Sequence, residues 1–230
     1  MKKIKKENTM VSKNSPTLKS LQELKEAHNN MNGDIGKVSS FYNNWSDLYD
    51  KDVEEQQYIA PTFSAHFFLA FQKQVWQNPS DFHKIRIMDA GCGTGLSGLQ
   101  LQKLGYTNIN GCDIAQNMID IAKGTNVYQS LSGDADINNL SAFANNQYDA
   151  VISCGVFTPG HVFPDALREL VRITKKSGFI VVVTRRSYYQ STNFQEVCDT
   201  LKQERLVSSI TKQEGPYDME ERAYYWGIKL

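Results

Sequence analysis

Seven residues, Asp89-Ala90-Gly91-Cys92-Gly93-Thr94-Gly95, constrain this 230-residue chain more than any others. Three alternate glycines stand between the apolar run Lys84-Ile85-Arg86-Ile87-Met88-Asp89-Ala90 and a segment in which Leu96, Leu99 and Leu104 mark a helix. Glycine is needed where the backbone turns with positive φ, or where a ligand must touch the main chain. Strand, glycine turn and helix in that order open a βαβ unit, and the N-terminus of such a helix suits an anionic group such as a carboxylate. Asp113 ends the next apolar segment, 22 residues after Gly91. An acid at that strand tip accepts hydrogen bonds from both hydroxyls of a ribose.

The spacing narrows the ligand. A dinucleotide fold spaces its glycines G-x-G-x-x-G, so that a pyrophosphate sits on the helix. Here the pattern is G-x-G-x-G with Asp89 just before it. An acid beside the loop repels a pyrophosphate and attracts an ammonium. The ligand implied carries an amino group, a carboxylate and a ribose, and a nicotinamide-dependent oxidoreductase is disfavoured.

The rest of the chain alternates strands and helices. Strands are expected over 84–90, 108–112, 127–131, 148–154 and 179–184, and two closing strands over 206–211 and 223–229, joined by a Gly215-Pro216 loop. Helices are expected between them, near 96–104, 115–123, 165–174 and 192–204. That alternation means an α/β fold with a mostly parallel sheet and helices on both faces. Upstream, Phe41, Tyr42, Trp45, Leu48 and Tyr49 follow helical spacing, with Ser46 and Asp47 able to cap or break the helix. A second helix is expected over 61–76, with Pro61 at its first position.

Residues 1–40 contain no Phe, Trp or Tyr before Phe41 and hold eight lysines against four acids. We expect residues 1–37 to form a flexible Lys-rich extension with a possible short helix near 18–29, residues 38–80 a helical cap, and 81–230 a Rossmann-like core. The formal net charge of zero combines this basic extension with an acidic remainder of seventeen basic and twenty-one acidic residues. Such a balance disfavours nucleic acid as a partner. No apolar run reaches the ~18 residues of a membrane span. Four scattered cysteines, with no C-x-x-C pair, suit a cytoplasmic protein with neither disulfides nor a metal site.

These motifs resemble those of the class I S-adenosylmethionine-dependent methyltransferases. Asp89-x-Gly91-x-Gly93-x-Gly95 is similar to that family's first motif, Asp113 to the acid of its second, and Gly133-Asp134-Ala135 to its third. Residues 148–154 resemble its fourth, and 172–179 resemble the turn before its fifth strand, with Lys176 and Ser177 in place of a Pro and a Gly. The resemblance implies a seven-stranded sheet whose last strand is antiparallel. Tyr42-x-x-Trp45-x-x-x-Tyr49-Asp50, Ile59-Ala60-Pro61, and the segments 155–162 and 166–174 further resemble the methyltransferase-like proteins of the Williams–Beuren syndrome chromosomal region.

What the resemblance implies is a soluble enzyme that binds S-adenosylmethionine and methylates a small molecule, with a non-catalytic cofactor- or partner-binding protein as the alternative. Gly91 and Gly93, with Ala90 and Cys92, would approach the methionine part, and Asp89 would face or orient its ammonium. Asp113 would bind the ribose and Ile114 would pack on the adenine. Asp134 and Ala135 would read the adenine edge, and Cys154 and Gly155 would face the methyl group. Tyr49 is expected to bind the cofactor as a lid near its methionine end and, with His161, to be a catalytic residue, His161 acting as the base if the acceptor must lose a proton. Met118 is expected as helix core. No metal is expected, and a monomer or weak homodimer is.

Overall fold

The structure is a computed structural model that describes residues 30–76 and 83–230. The expected helix near 18–29 and the Asn78-Pro79-Ser80 break lie outside the described residues. Seven strands form one sheet: β1 (Ile87–Ala90), β2 (Ile109–Cys112), β3 (Tyr128–Ser132), β4 (Tyr148–Phe157), β5 (Thr174–Arg185), β6 (Ser209–Pro216) and β7 (Arg222–Lys229). Their order is β3-β2-β1-β4-β5-β7-β6. The first five pair in parallel, and β7 runs antiparallel to both β5 and β6.

The central strands are apolar on both faces, as a sheet covered on both sides requires. Alternate residues serve opposite layers. Ile87, Ala150, Ile152, Phe179 and Val181 pack under α2 (Ala60–Val75) and α3 (Leu96–Lys103), against Phe68, Phe71 and Leu101. Met88, Val151, Ile180, Val182 and Trp226 pack under α5 (Ala166–Ile173) and α7 (Phe194–Gln203), against Leu167, Leu170, Phe194 and Leu201. Between β2 and β3 lies α4 (Gln116–Gly124), and α6 (Arg186–Ser191) follows β5.

Helix α1 (Ile35–Glu55) is one unbroken helix of 21 residues. Asp34 caps it by accepting from the Lys37 N–H at 3.1 Å. Ser46 does not break it, because its hydroxyl donates back to the Asn43 carbonyl at 3.0 Å and is satisfied inside the helix. Ordered packing therefore reaches upstream of the expected boundary at 37/38. Met31 is buried, and the Gly33 N–H donates to the Gly160 carbonyl at 2.9 Å.

Three local expectations change. Gly215 and Pro216 lie within β6, paired with Ala223 and Arg222, rather than in a loop. β6 is the edge of the sheet, where a proline without an N–H is tolerated. The expected helix over 192–204 is α7 alone, since Thr192 is extended and ends α6. The expected turn before the fifth strand is an irregularity inside β5: Thr174 pairs with Tyr148, but the next pair is Phe179 with Ala150.

Candidate functional site

A cavity of about 840 Å³, counting its open side, lies at the carboxyl ends of β1, β2 and β4. Ligands of open α/β sheets occupy this end, where the strand order reverses. The glycine turn forms its floor. The N–H groups of Gly91 and Cys92 both donate to the Cys112 carbonyl, at 2.8 and 2.9 Å, which ties the turn to the tip of β2. Gly91 has φ +76°, and a Cβ there would lie 2.1 Å from Val156 Cγ2. Gly93 has φ +54°, and a Cβ there would meet nothing within 4 Å. The two glycines thus differ in purpose: Gly91 lets the chain pack on β4, and Gly93 leaves open space above the backbone.

Asp113 is anchored at the cavity wall. Its Oδ2 accepts from the Gly93 N–H and its Oδ1 from the Ala115 N–H, both at 2.9 Å. Burial raises the pKa of this carboxyl, and those N–H groups oppose the shift. A carboxylate oxygen has further lone pairs, so acceptor capacity remains for hydroxyl donors.

Most residues expected at the site do line the cavity. Gly91, Cys92, Gly93, Asp113, Ile114, Tyr49, Ala135, Cys154, Gly155 and His161 are all in its lining, and the Ala135 N–H donates to the Asp113 carbonyl at 3.0 Å. Met118 is buried helix core, as expected, and also lines the wall. Asp89, Ala90 and Asp134 do not line it. Asp89 is fully buried behind the turn, where its Oδ2 accepts from the Tyr128 hydroxyl at 2.7 Å. Burial pushes its carboxyl up to about 7, with the Tyr128 bond opposing. It supports the turn rather than facing a ligand ammonium directly. Ala90 is buried in β1, and its carbonyl accepts from the Ser153 hydroxyl at 2.8 Å.

Asp134 is exposed with φ +53°, a left-handed conformation available to Asp, and stands outside the cavity. Asp136, Ile137 and Asn138 line it instead. The Asp136 Oδ1 accepts from the backbone and side-chain nitrogens of Asn138, both at 2.9 Å. This Asx turn is written in Asp136-Ile137-Asn138 and is the signal that could have located the wall two residues further on.

A bulge shapes the far end. Ser153 pairs with Val182, but the next pair is Phe157 with Thr184, so residues 154–156 bow out of the β4 ladder. Bulges re-aim strand ends next to functional sites. Here Gly155, with φ +84°, brings its Cα under the Tyr58 hydroxyl, and a Cβ would lie 2.8 Å from that oxygen. Tyr58 also reaches the Cys154 thiol at 3.6 Å. Burial pushes the Cys154 thiol up to about 11, so it is protonated at neutral pH.

Helix α1 closes the cavity. Its Asp50 accepts from the Thr94 hydroxyl at 2.6 Å, its Ser39 donates to the Ile114 carbonyl at 3.3 Å, and its Asn43 accepts from the Asn117 N–H at 2.9 Å. Tyr42, Trp45 and Tyr49 form an aromatic cluster on its inner side. Tyr42 meets His161 Nε2 at 2.6 Å. His161 Nδ1 lies 2.8 Å from the Thr158 hydroxyl, which can donate or accept, and 3.0 Å from the Pro159 carbonyl, which only accepts; a proton on Nδ1 satisfies both and leaves Nε2 to accept from the Tyr42 hydroxyl. Burial holds His161 down to about 4, neutral at pH 7.

A second cavity of about 390 Å³, counting its open side, adjoins the first and shares Tyr42, Tyr49, Tyr58 and Gly155 with it. Arg185, at the end of β5, lines this second space. Sequence reasoning missed it, because a charged residue at a strand end carries no motif. Among the described residues, no group of three or more His, Cys, Asp or Glu side chains comes together to hold a metal, and no helix is long and apolar enough to cross a membrane.

Comparison with known proteins agrees with this geometry. Residues 88–182 match the methyltransferase domain family. The chain is 30% identical over 162 residues to methyltransferase-like protein 27 of Homo sapiens, covering 70% of this chain and 62% of that protein. It is 32% identical over 135 residues to a malonyl-[acyl-carrier protein] O-methyltransferase of Buchnera aphidicola, covering 56% of this chain and 52% of that one. It therefore spans less than two thirds of the length of these relatives. The fold is similar to magnesium protoporphyrin IX methyltransferase from Synechocystis, solved with bound S-adenosylmethionine, at a TM-score of 0.60 and 14% identity, covering 86% of this chain and 97% of that one. The glycine turn and the anchored Asp113 both fall within the matched residues 88–182, and the chain carries a methyltransferase domain of the class I S-adenosylmethionine-dependent kind.

Proposed function

We propose that this chain transfers a methyl group from S-adenosylmethionine to a small, partly apolar acceptor. The observation that carries this reading is the Asp113 carboxylate, held by the Gly93 and Ala115 N–H groups in the wall of the same cavity as the open backbone at Gly93. Asp113 would accept the ribose hydroxyls. Ile114, Met118 and Ile137 supply apolar surface for the adenine, and Ala135 and Asn138 supply polar backbone and amide groups at its edge. Gly91, Cys92 and Gly93 would hold the methionine part, with Ser97 at the start of α3 beside them.

When bound, the cofactor supplies an electrophilic methyl: the acceptor lone pair forms the new bond as the carbon–sulfur bond breaks, and its electron pair stays on sulfur. Positive charge is lost in that step, so alignment and exclusion of water supply much of the rate. Helix α1 excludes water, and the rings of Tyr42, Tyr49 and Tyr58 line the space beside Gly155. An aromatic wall favours a sulfonium. His161 positions the Tyr42 hydroxyl and stays neutral while doing so. If the acceptor must lose a proton, it would pass to Tyr42 as the Tyr42 proton moves to His161 Nε2, and His161, neutral at rest, would carry charge only while it holds that proton.

The apolar rim of Ile35, Val38 and Val162 and the neutral overall charge favour a small molecule over nucleic acid. Four buried, unpaired cysteines fit a reducing, cytoplasmic setting. Two measurements test the proposal. Calorimetry with S-adenosylmethionine, S-adenosylhomocysteine and NAD is expected to show binding of the first two; binding of NAD alone overturns the cofactor assignment. Labelled methyl transfer into a metabolite extract is expected to mark a small molecule. Binding without transfer assigns the chain to the non-catalytic alternative.

A further inference from the structure

The second cavity has a composition unlike the first. Tyr42, Trp45, Tyr49, Tyr58 and Tyr217 give it an aromatic wall, and Arg185 is its one cation among the described lining residues. The Arg185 guanidinium is stacked over the Tyr217 ring, its carbon 4.6 Å from the ring centre, and its Nη1 lies 3.5 Å from Glu221 Oε2. Its Nε is buried and has no hydrogen-bond partner among the described residues. A buried donor of a cation is ordinarily satisfied, so this one marks a place where a further acceptor atom belongs.

Glu221, Asp218 and the Tyr217 ring surround the guanidinium. Glu221 Oε1 is taken by the Ser187 N–H at 2.9 Å, and its Oε2 makes only the long contact with Arg185. Asp218, also on the cavity wall, has its Oδ1 taken by the N–H groups of Glu220 and Glu221, at 2.9 and 2.8 Å. Each acid gives one oxygen to backbone donors, Glu221 keeps the other toward the guanidinium, Tyr217 also bonds the Arg185 side chain, and the Nε is left without a partner. A guanidinium with an unmatched N–H is suited to a carboxylate oxygen, which it holds by a charge-assisted hydrogen bond.

Position supplies the second argument. The two cavities meet at Gly155, on the β4 bulge, with Tyr42, Tyr49 and Tyr58 common to both. A molecule in the second cavity would lie against whatever group the first cavity presents at that point. We propose that the second cavity is the methyl-acceptor site and that Arg185 selects an acceptor carrying a carboxylate on a compact, apolar or aromatic body. This inference rests on the methyltransferase reading of the first cavity. It assigns Arg185 to recognition of the carboxylate, and it leaves open which acceptor atom takes the methyl.

The test is calorimetry on the full chain saturated with S-adenosylhomocysteine, with phenylacetate, phenylacetamide and phenethylammonium as probes of one shape and three charges. Phenylacetate is expected to bind at least 10-fold more tightly than either of the others. In Arg185→Gln, that preference is expected to vanish while S-adenosylhomocysteine affinity stays within about 2-fold. Arg185→Lys keeps the charge without the fork and is expected to lose part of the preference, which covers the case in which the glutamine variant fails to fold. Equal binding of the amide or the ammonium to the wild-type protein overturns the acceptor assignment, as does an unchanged preference in a folded Arg185 variant. Failure of S-adenosylhomocysteine to bind the wild-type protein overturns the cofactor reading instead, so the two failures are distinct.

Discussion

The glycine turn and helix α1 both wall one cavity, and they are built in different ways. The turn is held by backbone: positive φ at Gly91, Gly93 and Gly95, and N–H groups bonded to the Cys112 carbonyl and the Asp113 carboxylate. Helix α1 is held by side chains reaching partners far along the chain, Thr94 for Asp50, Ile114 for Ser39, Asn117 for Asn43 and His161 for Tyr42. A wall made of backbone has few ways to move without breaking the fold. A wall made of individually modest side-chain bonds can be loosened one bond at a time. The difference teaches where binding geometry is set and where access is controlled.

The sharpest way to break this comparison is within the turn itself. Gly91→Ala places a Cβ against Val156 in a left-handed residue and is expected to cost about 3–5 kcal/mol, read as a large fall in the thermal midpoint. Gly93→Ala meets no neighbour and is expected to cost only about 1 kcal/mol. Its S-adenosylhomocysteine affinity should nevertheless fall at least ~100-fold, because the new methyl occupies the space left for the ligand. Normal affinity in Gly93→Ala would remove the glycine turn from the binding site.

Asp113→Ala comes next. It orphans the Gly93 and Ala115 N–H groups and removes the ribose acceptor, so stability should drop by about 2–3 kcal/mol and affinity by at least ~30-fold. Calorimetry on the folded variant separates the two, and unchanged affinity would sink the ribose assignment.

On the α1 side, His161 links the wall to pH. Its folded pKa is depressed to about 4 by burial, against an ordinary value of 6.5. Its contribution to stability is therefore complete above about pH 6.5 and lost as pH falls through about 4, an effect on the order of 3 kcal/mol. Unfolding free energies of wild type and His161→Gln across that window should diverge accordingly; parallel curves would show that His161 takes up protons freely in the folded protein. The smallest effect belongs to a single latch. Thr94→Val removes the bond to Asp50 and is expected to cost about 1 kcal/mol, with a roughly 5-fold faster release of S-adenosylhomocysteine in stopped-flow. An equal effect on stability and none on release would make α1 a structural element only.

The core of the fold was legible because its signals are local. Apolar runs placed β1, β2 and β4, helical spacing placed α3 and α5, and the glycine pattern with Asp113 located the cavity. Where expectation and structure part, a distant partner decides. Ser46 could cap or break α1, but its hydroxyl is satisfied by Asn43, and the unbroken helix brings Ile35, Val38, Tyr42 and Tyr49 to the cavity lining. Gly215 and Pro216 look like a loop until β7 pairs with them. Asp134 matches a motif by position, but its left-handed backbone turns it outward and passes the wall to Asp136.

The sequence by itself determined the α/β class, the glycine turn and its acid, because positive φ, strand alternation and helix starts are properties of a few adjacent residues. Only the tertiary structure decided that Asp89 is buried support, that Tyr42 and His161 form one hydrogen-bonded pair, and that Arg185 stands beside Gly155 in an aromatic cavity. Those facts depend on burial and on contacts between residues as many as 119 positions apart, which no local pattern records.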